Sequence, residues 1–150
     1  MSNIHPLLVP VAAGELIDKI TILRLKASRL LRPEALANVK QELNALEEIQ
    51  AKAGNALCGN QLNALTAELQ RINTCLWDVE DALRMLEAEQ RFDAEFIKLA
   101  RSVYQLNDHR SAIKRQINIC CGSDLMEEKS YGELPQYRKA MTMGNEKSNA

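Results

Sequence analysis

The residues best suited to chemistry form a polar row on one predicted helix near the end of the chain. Apolar residues recur there at spacings of three and four, but the position where the series calls for another holds Arg110. Asn107 and Lys114 share its side of the helix, because residues three and four apart are neighbours on a helix surface. These side chains could bind a phosphate, a carboxylate or an acidic sugar, since a guanidinium clamps a flat anion through two parallel hydrogen bonds. Lys19 and Arg84 are further candidates for this cationic pocket.

The same row has a purely structural interpretation, in which its charges are paired inside the fold. It lies in line with Val103 and Ile117, so its charges must sit within the core or at its edge. Unpaired buried charge is so costly that most such residues have partners. A network of ion pairs that fixes helix register is therefore the simpler interpretation. The acidic residues that could supply partners are Glu15, Asp18, Glu80, Asp81, Glu127 and Glu128.

Other residues give little indication of catalysis, and we predict no catalytic residue, no metal site and no cofactor. His109 beside Asp108 could be a general base, but a lone histidine in a charged helical stretch is usually just exposed. Neighbouring carboxylates diverge on a helix, so the acidic pairs of this sequence form no acid/base pair. The four cysteines form no CxxC motif, and we expect buried, reduced thiols.

Bulk composition limits the size, class and partners of the protein. A chain of 150 residues is near the usual size of one domain. A net charge of -1 and only 4% aromatic residues argue against nucleic-acid binding, which needs clustered cations and stacking platforms. The early apolar run, residues 6–14, is too short and too interrupted by proline for a signal peptide or a membrane span. We therefore expect a cytoplasmic protein with neither nucleic acid nor membrane as a partner.

Four helices are predicted to position the polar row, in an all-α fold. Apolar spacing and helix-breaking residues predict the first from Gly14 to about Leu31, the second from Pro33 to Gly54, and the third from Asn60 to about Arg91. We expect the fourth to begin near Asp93, which could cap it while Phe92 packs on Ile97, and to end at Gly122 and Ser123. The elements indicate an antiparallel helical bundle or helical hairpins.

The third helix carries the most regular pattern in the chain. Its apolar residues alternate spacings of three and four without an error: Leu62, Leu65, Leu69, Ile72, Leu76, Val79, Leu83 and Leu86. A strict heptad of this length is typical of a coiled-coil seam. At 1.5 Å per residue the helix would be roughly 48 Å long, more than a compact bundle needs. It should therefore protrude or be covered by a partner subunit, with Trp77 as a core or interface anchor.

The ends of the chain are predicted to be irregular. Two prolines make residues 1–11 an extended segment, which we expect to pack on the domain because it is apolar. After the fourth helix, DLMEEKSY could form a short helical turn. We predict a single helical domain over residues 1–131 and a flexible, frayed C-terminal tail over residues 132–150.

Four blocks of the sequence resemble an uncharacterised bacterial helical family, a domain of unknown function. They are VPVAAGELIDKITIL, LWDVEDALR, FDAEFIKLARSVYQLNDHRSAIKRQIN and GSDLMEEKSY. The resemblance implies bacterial or phage origin and a helical domain, with no assigned activity. It also implies an accessory role near glycosyltransferases of envelope polysaccharide synthesis. The chain departs from the family at Ala12, where a capping serine is expected.

The function therefore stays unknown at this level, with two hypotheses. The first is a non-enzymatic helical interaction or scaffold module that self-associates, with a dimer favoured. The alternative is a binder or enzyme for an anionic small molecule that acts through Asn107, Arg110 and Lys114 and could serve envelope polysaccharide or glycosyl transfer.

Overall fold

The computed structural model describes residues 6–53 and 59–130, which form four α-helices. They are α1 (Ala13–Arg29), α2 (Pro33–Ala53), α3 (Gly59–Ala88) and α4 (Ala94–Cys120). No strand occurs in the part of the chain that the structure describes. The predicted all-α fold is confirmed, and the helix boundaries agree with the expected ones to within about three residues.

Helix α1 is the centre of the fold, because each of the other three helices packs against it. Its N-terminal half contacts α4, where Gly14 and Asp18 meet Asn118 and Arg110. Its C-terminal end contacts α3 through Arg29. This central position explains why apolar and polar residues are buried on several sides of a helix of only 17 residues.

Helices α3 and α4 form a long antiparallel hairpin, and α1 covers only part of it. With 30 residues α3 is about 45 Å long, whereas α1 is about 25 Å. At its C-terminal end Arg29 reaches Asp78 and lies over the ring of Trp77, while α3 continues to Ala88. We call residues 79–106 the distal hairpin, because on α3 they begin just beyond Asp78, which the last residue of α1 contacts.

The core lies where α1, α3 and α4 meet. It is built from apolar side chains at the predicted spacings: Ile17, Leu62, Leu69, Ile72, Leu76, Ile113 and Ile117. Leu69 and Ile117 are completely buried. The heptad face of α3 is thus occupied by core packing within the chain over its first half.

Helix α2 is a peripheral element that packs on α1. Lys19 and Arg24 of α1 form exposed ion pairs with Glu42 and Glu47 of α2. Val39 is the one buried side chain of α2 among the described residues. Exposed ion pairs of this kind contribute little free energy, so the attachment of α2 depends on a narrow apolar strip.

The turn between α3 and α4 confirms the break that the phase of the apolar pattern predicts. Asp93 caps α4, its carboxylate accepting hydrogen bonds from the backbone N–H groups of Glu95 and Phe96. The expected packing of Phe92 on Ile97 takes another form, because the ring of Phe92 stacks edge-on against Phe96 at 5.2 Å. Phe96 lies one residue before Ile97 on α4, and its contact with Phe92 still closes the first turn of the helix.

Two expectations for the irregular segments are wrong. Residues 6–11 form no regular secondary structure and do not pack on the domain, since Leu7 and Leu8 are 87% and 92% exposed, whereas Ala12 is buried. Residues 124–130 form no helical turn. There the Ser123 hydroxyl accepts a hydrogen bond from Ala13 N–H at the start of α1 and donates one to the Leu125 carbonyl. The predicted tail, residues 132–150, and residues 1–5 lie outside the described residues.

The cysteines also differ from the expectation of reduced thiols. Cys120 is disulfide-bonded, whereas Cys75 is a free, half-buried thiol. Disulfide formation depends on two Cα atoms coming within about 7 Å, which spacing along a sequence does not reveal.

Candidate functional site

The candidate site is built around one buried carboxylate, that of Asp18 on α1. Asp18 is only 2% exposed, and Arg110 of α4 binds it through two parallel hydrogen bonds, one of them from Nε at 3.0 Å. The amide of Asn73 on α3 donates to the same carboxylate at 2.9 Å. One acidic group therefore joins the three helices of the core, and it does so through charged and neutral donors together.

Thr21 completes this cluster from the next turn of α1. Its hydroxyl donates to the backbone carbonyl of Asp18 at 2.7 Å and lies 2.9 Å from the amide nitrogen of Asn73. No buried side-chain nitrogen or oxygen within the described residues lacks a hydrogen-bond partner. The polar groups inside this core are thus satisfied by one another.

Lys114 lies one turn further along α4 and gathers three carboxylates. Its ammonium nitrogen is 2.6 Å from Glu15, 2.8 Å from Glu127 and 3.9 Å from Asp18. Burial lowers the pKa of Lys114, but its hydrogen bonds to Glu127 and Glu15, together with the nearby negative charges of Asp18 and Glu15, outweigh burial, so the net pKa is raised. Lys114 is therefore charged and held in place.

Glu127 is shared between two cations, because it contacts both Lys114 and Lys129. The hydrogen bonds to Lys114 and Lys129 lower the pKa of Glu127 from 4.5 to about 2. The pKa of the Arg110 guanidinium is raised, because its hydrogen bonds to Asp18 outweigh the opposing effect of burial. The contacts of the network therefore favour the charged forms of Lys114, Glu127 and Arg110.

The N-terminus of α1 is capped from a distance. Ala12 at the cap position has no side-chain oxygen to offer, in line with its departure from the expected serine. Instead the side-chain carbonyl of Asn118 accepts from Gly14 N–H at 2.6 Å, and the Ser123 hydroxyl accepts from Ala13 N–H at 3.3 Å. Residues more than 100 positions later supply the oxygen atoms that a helix N-terminus needs.

Gly14 allows α1 and α4 to approach this closely. A Cβ atom at this position would lie 2.5 Å from the backbone oxygen of Lys114 and 2.9 Å from the side-chain oxygen of Asn118. Any larger residue would therefore push the two helices apart. The glycine positions Lys114 and Asn118 by permitting direct backbone contact.

The residues predicted as a ligand site are divided between three places. Asn107, Arg110 and Arg84 line one cleft of about 270 Å³ between α1 and the hairpin. Lys114 lies on the other side of Asp18 and lines a smaller cavity of about 190 Å³ with Glu127. Lys19 faces α2, where it pairs with Glu42. The structure thus brings together three of the five predicted ligand residues.

The predicted acidic partners are divided in a similar way. Glu15, Asp18 and Glu127 contact Lys114, and Asp18 also binds Arg110. The others lie on the surface with different partners: Glu80 and Asp81 with Arg84, and Glu128 with Arg115.

The cleft of 270 Å³ combines an apolar wall with a charged rim. Ile22, Leu25, Leu76 and Trp77 form the wall, while Glu80, Asp81 and Arg84 stand at the rim. Arg110 contributes its outer edge, where one terminal nitrogen is 3.4 Å from the side-chain oxygen of Asn107. This nitrogen is the part of the guanidinium that Asp18 does not use, so the cleft holds one weakly engaged cationic donor.

Sequence reasoning missed Asn73, Thr21, Asn118, Gly14 and Ser123. Asn118 could have been predicted from the sequence, because the polar row at 107, 110 and 114 continues with the same spacing to 118. Asn73 carries no such signal, since it lies beside the heptad seam of α3 like any exposed polar residue. Its role becomes apparent only when α1 is placed against α3.

Comparisons with known proteins add a family and little about chemistry. A search of the curated proteins and a search of the solved structures each found no match. Within the described residues, no helix is long and apolar enough to cross a membrane, and no group of three or more His, Cys, Asp or Glu side chains could hold a metal ion. The family described as "Family of unknown function (DUF6165)" matches residues 7–139, so this chain, whose function is unknown, belongs to that family.

Proposed function

We propose that this chain is a non-enzymatic helical interaction module that self-associates through the distal hairpin. The observation that carries the proposal is a change in burial along one apolar seam. Where α1 covers the hairpin, Leu69 and Ile117 are completely buried. Beyond the end of α1 the burial is mixed: Leu86 is still buried, whereas Leu83 and Leu99 continue the seam but are only half-buried. An apolar surface that is in register with a core and only partly covered supports a docking role.

A second copy of the chain is the partner that we propose. Its distal hairpin carries the same seam on two helices, so two copies facing each other would bury both surfaces in a four-helix arrangement. Heptad-spaced seams on antiparallel helices pack in this way. A two-fold dimer closes such an interface without leaving a further surface open.

The mass of the protein as a function of concentration tests this proposal. Sedimentation equilibrium should show a monomer that converts to a dimer as concentration rises. Ala100 lies seven residues before Asn107, on the same face of α4, and is half-buried. Ala100→Glu should weaken the dimer at least about tenfold, because a carboxylate would be buried in the interface without a partner.

Ala67→Glu is the matched control, since Ala67 is exposed on α3 in the half that α1 covers. It introduces the same charge and should leave the dimer intact. A clean monomer for the wild-type chain at high concentration, or equal dimerisation of both variants, would count against self-association through this surface.

A second candidate function, the binding of a small anion, is supported by the cleft that contains Asn107, Arg110 and Arg84. The volume of about 270 Å³ suits a small molecule, and the weakly engaged Arg110 nitrogen is a donor for a phosphate or carboxylate oxygen. The ion pairs of Asp18 with Arg110 and of Glu127 with Lys114 oppose this function, because they already neutralise the two main cations. We therefore rank it second.

Thermal stability measured with inorganic phosphate and with nucleotide sugars tests the second candidate. Binding would raise the melting temperature, and Arg84→Ala would remove the effect without disturbing the core, since Arg84 is exposed. Lys98→Ala, a change of equal charge on the exposed side of α4, is the control. No stabilisation by any of these anions would eliminate the candidate.

The bacterial cytoplasm is the location that we propose, with an accessory role in envelope polysaccharide or glycosyl transfer carried over from the resemblance. The disulfide of Cys120 is the observation against the cytoplasm, where thiols are kept reduced. Mass spectrometry of alkylated protein from rapidly quenched cells would test this: a reduced Cys120 supports the cytoplasm and an oxidised one opposes it.

A further inference from the structure

We infer that two copies dock with their hairpins antiparallel, so that the acidic tip of each copy contacts the basic end of α1 in the other. This inference rests on the proposed self-association and specifies its geometry. We call residues 87–95 the hairpin tip, and we call residues 26–32, the last turn of α1 with the three residues after it, the basic end of α1.

The position of α1 determines the direction in which a second hairpin can enter. Over the proximal half of the hairpin, α1 fills the groove between α3 and α4, where Asp18 contacts both Asn73 and Arg110. A second hairpin lying parallel to the first would have to occupy the same space. Overlap is therefore limited to the distal hairpins, with the two tips pointing in opposite directions.

In that arrangement the tip of each copy lies against the point where α1 of the other copy ends. The end of α1 is marked by Arg29, which pairs with Asp78, and by Leu31, which is 94% exposed. The tip also carries exposed apolar surface, at Met85 just before it and at Phe92 within it. Apolar side chains at both places would be covered by the same contact, and the two-fold axis would repeat it.

The charges of the two surfaces are complementary. The tip contains four carboxylates and one guanidinium, a formal charge of -3: Glu87, Glu89, Asp93, Glu95 and Arg91. The basic end of α1 contains three cations and no carboxylate, a formal charge of +3: Lys26, Arg29 and Arg32. The C-terminal end of α1 also carries the negative pole of the helix dipole, which Lys26 and Arg29 in its last turn offset.

Ion pairs within the chain do not neutralise all of these charges. Arg91 pairs with Glu89, Asp93 and Glu95, which leaves the tip with an excess of negative charge. On the basic end, Arg29 pairs with Asp78, while Arg32 is exposed. Opposite surface charges of this size mainly set partner orientation and the rate of association, and their effect falls as salt screens them.

Charge reversal in each surface tests the arrangement. Glu87→Lys with Glu89→Lys reverses the tip, and Lys26→Glu with Arg32→Glu reverses the basic end. Each pair of changes should raise the dimer dissociation constant about tenfold at low salt. Combining all four should restore it to within about threefold of the wild type, because the two surfaces are complementary again.

A control variant with the same charge change separates this effect from net charge. Glu48→Lys with Asp108→Lys alters exposed residues of α2 and α4 outside both surfaces and should leave the dissociation constant unchanged. Recovery in the fourfold variant also shows that the reversed chains fold. A dimer that is insensitive to both reversals overturns this geometry but leaves self-association standing. A wild-type chain that stays monomeric overturns self-association itself.

Discussion

At the residue scale, Asp18 is the side chain on which the polar network depends. It is buried between three helices and accepts hydrogen bonds from Arg110 and Asn73, with Lys114 at 3.9 Å. Burying such a charge costs free energy that its partners must offset, so the network fixes the relative positions of the helices more than it adds net stability. Arg110 therefore acts as a register contact between α1 and α4.

Arg110→Met should lower the free energy of unfolding by about 3 kcal/mol, because it leaves the Asp18 carboxylate buried without its main charged partner. Adding Asp18→Asn in the same chain should recover part of this loss, since no ionised group is then left unpaired. Urea unfolding of both single variants and the double variant measures the coupling. If the losses of unfolding free energy in the two single variants simply add in the double variant, the two residues act independently.

Acid should weaken the contact of Glu127 with Lys114 before it unfolds the domain. The pKa of Glu127 in the folded chain is lowered from 4.5 to about 2, so its contribution is fully present above pH 4.5 and is lost as pH falls towards 2. Glu127 is partly exposed, which limits the contribution to roughly 1 kcal/mol or less. The stability difference between wild type and Glu127→Gln should therefore shrink across this range.

Denaturant titrations at several pH values measure that difference. Glu128→Gln is the control, because Glu128 is the more exposed neighbour and pairs with Arg115 instead. A difference that stays constant from pH 7 to the acid limit would contradict the assignment of Glu127 to the Lys114 cluster.

At the element scale, some helix ends are capped by adjoining residues and others by residues far along the chain. Asp93 caps α4 from within its own turn, and Gly122 ends α4 in the left-handed region at φ 60°. Both ends were predictable because the capping residues adjoin the helices that they terminate. The start of α1 was not, because its caps come from Asn118 and Ser123.

Gln90 ends α3 with φ 54°, a conformation that strains a residue with a Cβ atom. Gln90→Gly should be more stable than Gln90→Ala by about 1 kcal/mol, since glycine adopts this conformation without strain. Both variants lose the hydrogen bond from the side-chain amide of Gln90 to the Glu87 carbonyl. The difference between them therefore reports only the cost of the backbone conformation. Guanidinium unfolding gives the two stabilities, and equal values would contradict strain at this turn.

At the scale of the whole molecule, α2 should be the first helix to open. It packs on α1, with Val39 as its single buried side chain among the described residues and exposed ion pairs to Lys19 and Arg24. Hydrogen exchange followed by mass spectrometry should therefore show opening of α2 at a lower free energy than that of α3. Equal protection of the two helices would mean that α2 belongs to the same cooperative unit.

More of the fold than of the site could be predicted from the sequence. Apolar spacing and helix-breaking residues give the four helices, because those signals act within a few residues. The length of α3 was also predicted to within about three residues, while the expectation that it protrudes or is covered by a partner subunit stays a prediction. By contrast, the pairing of Arg110 with Asp18 and the role of Asn73 depend on how α1 crosses the hairpin, which periodicity does not encode. The unpacked state of residues 6–11 was missed because apolar composition does not reveal whether a surface exists to receive them.

The distant caps of α1 have a consequence for synthesis on the ribosome. Gly14 N–H donates its hydrogen bond to a residue 104 positions later, which at 5–20 residues per second leaves the ribosome roughly 5 to 20 s afterwards. During that interval the start of α1 has neither its caps nor the hairpin that buries it. The first helix to be translated is therefore the last to be completed.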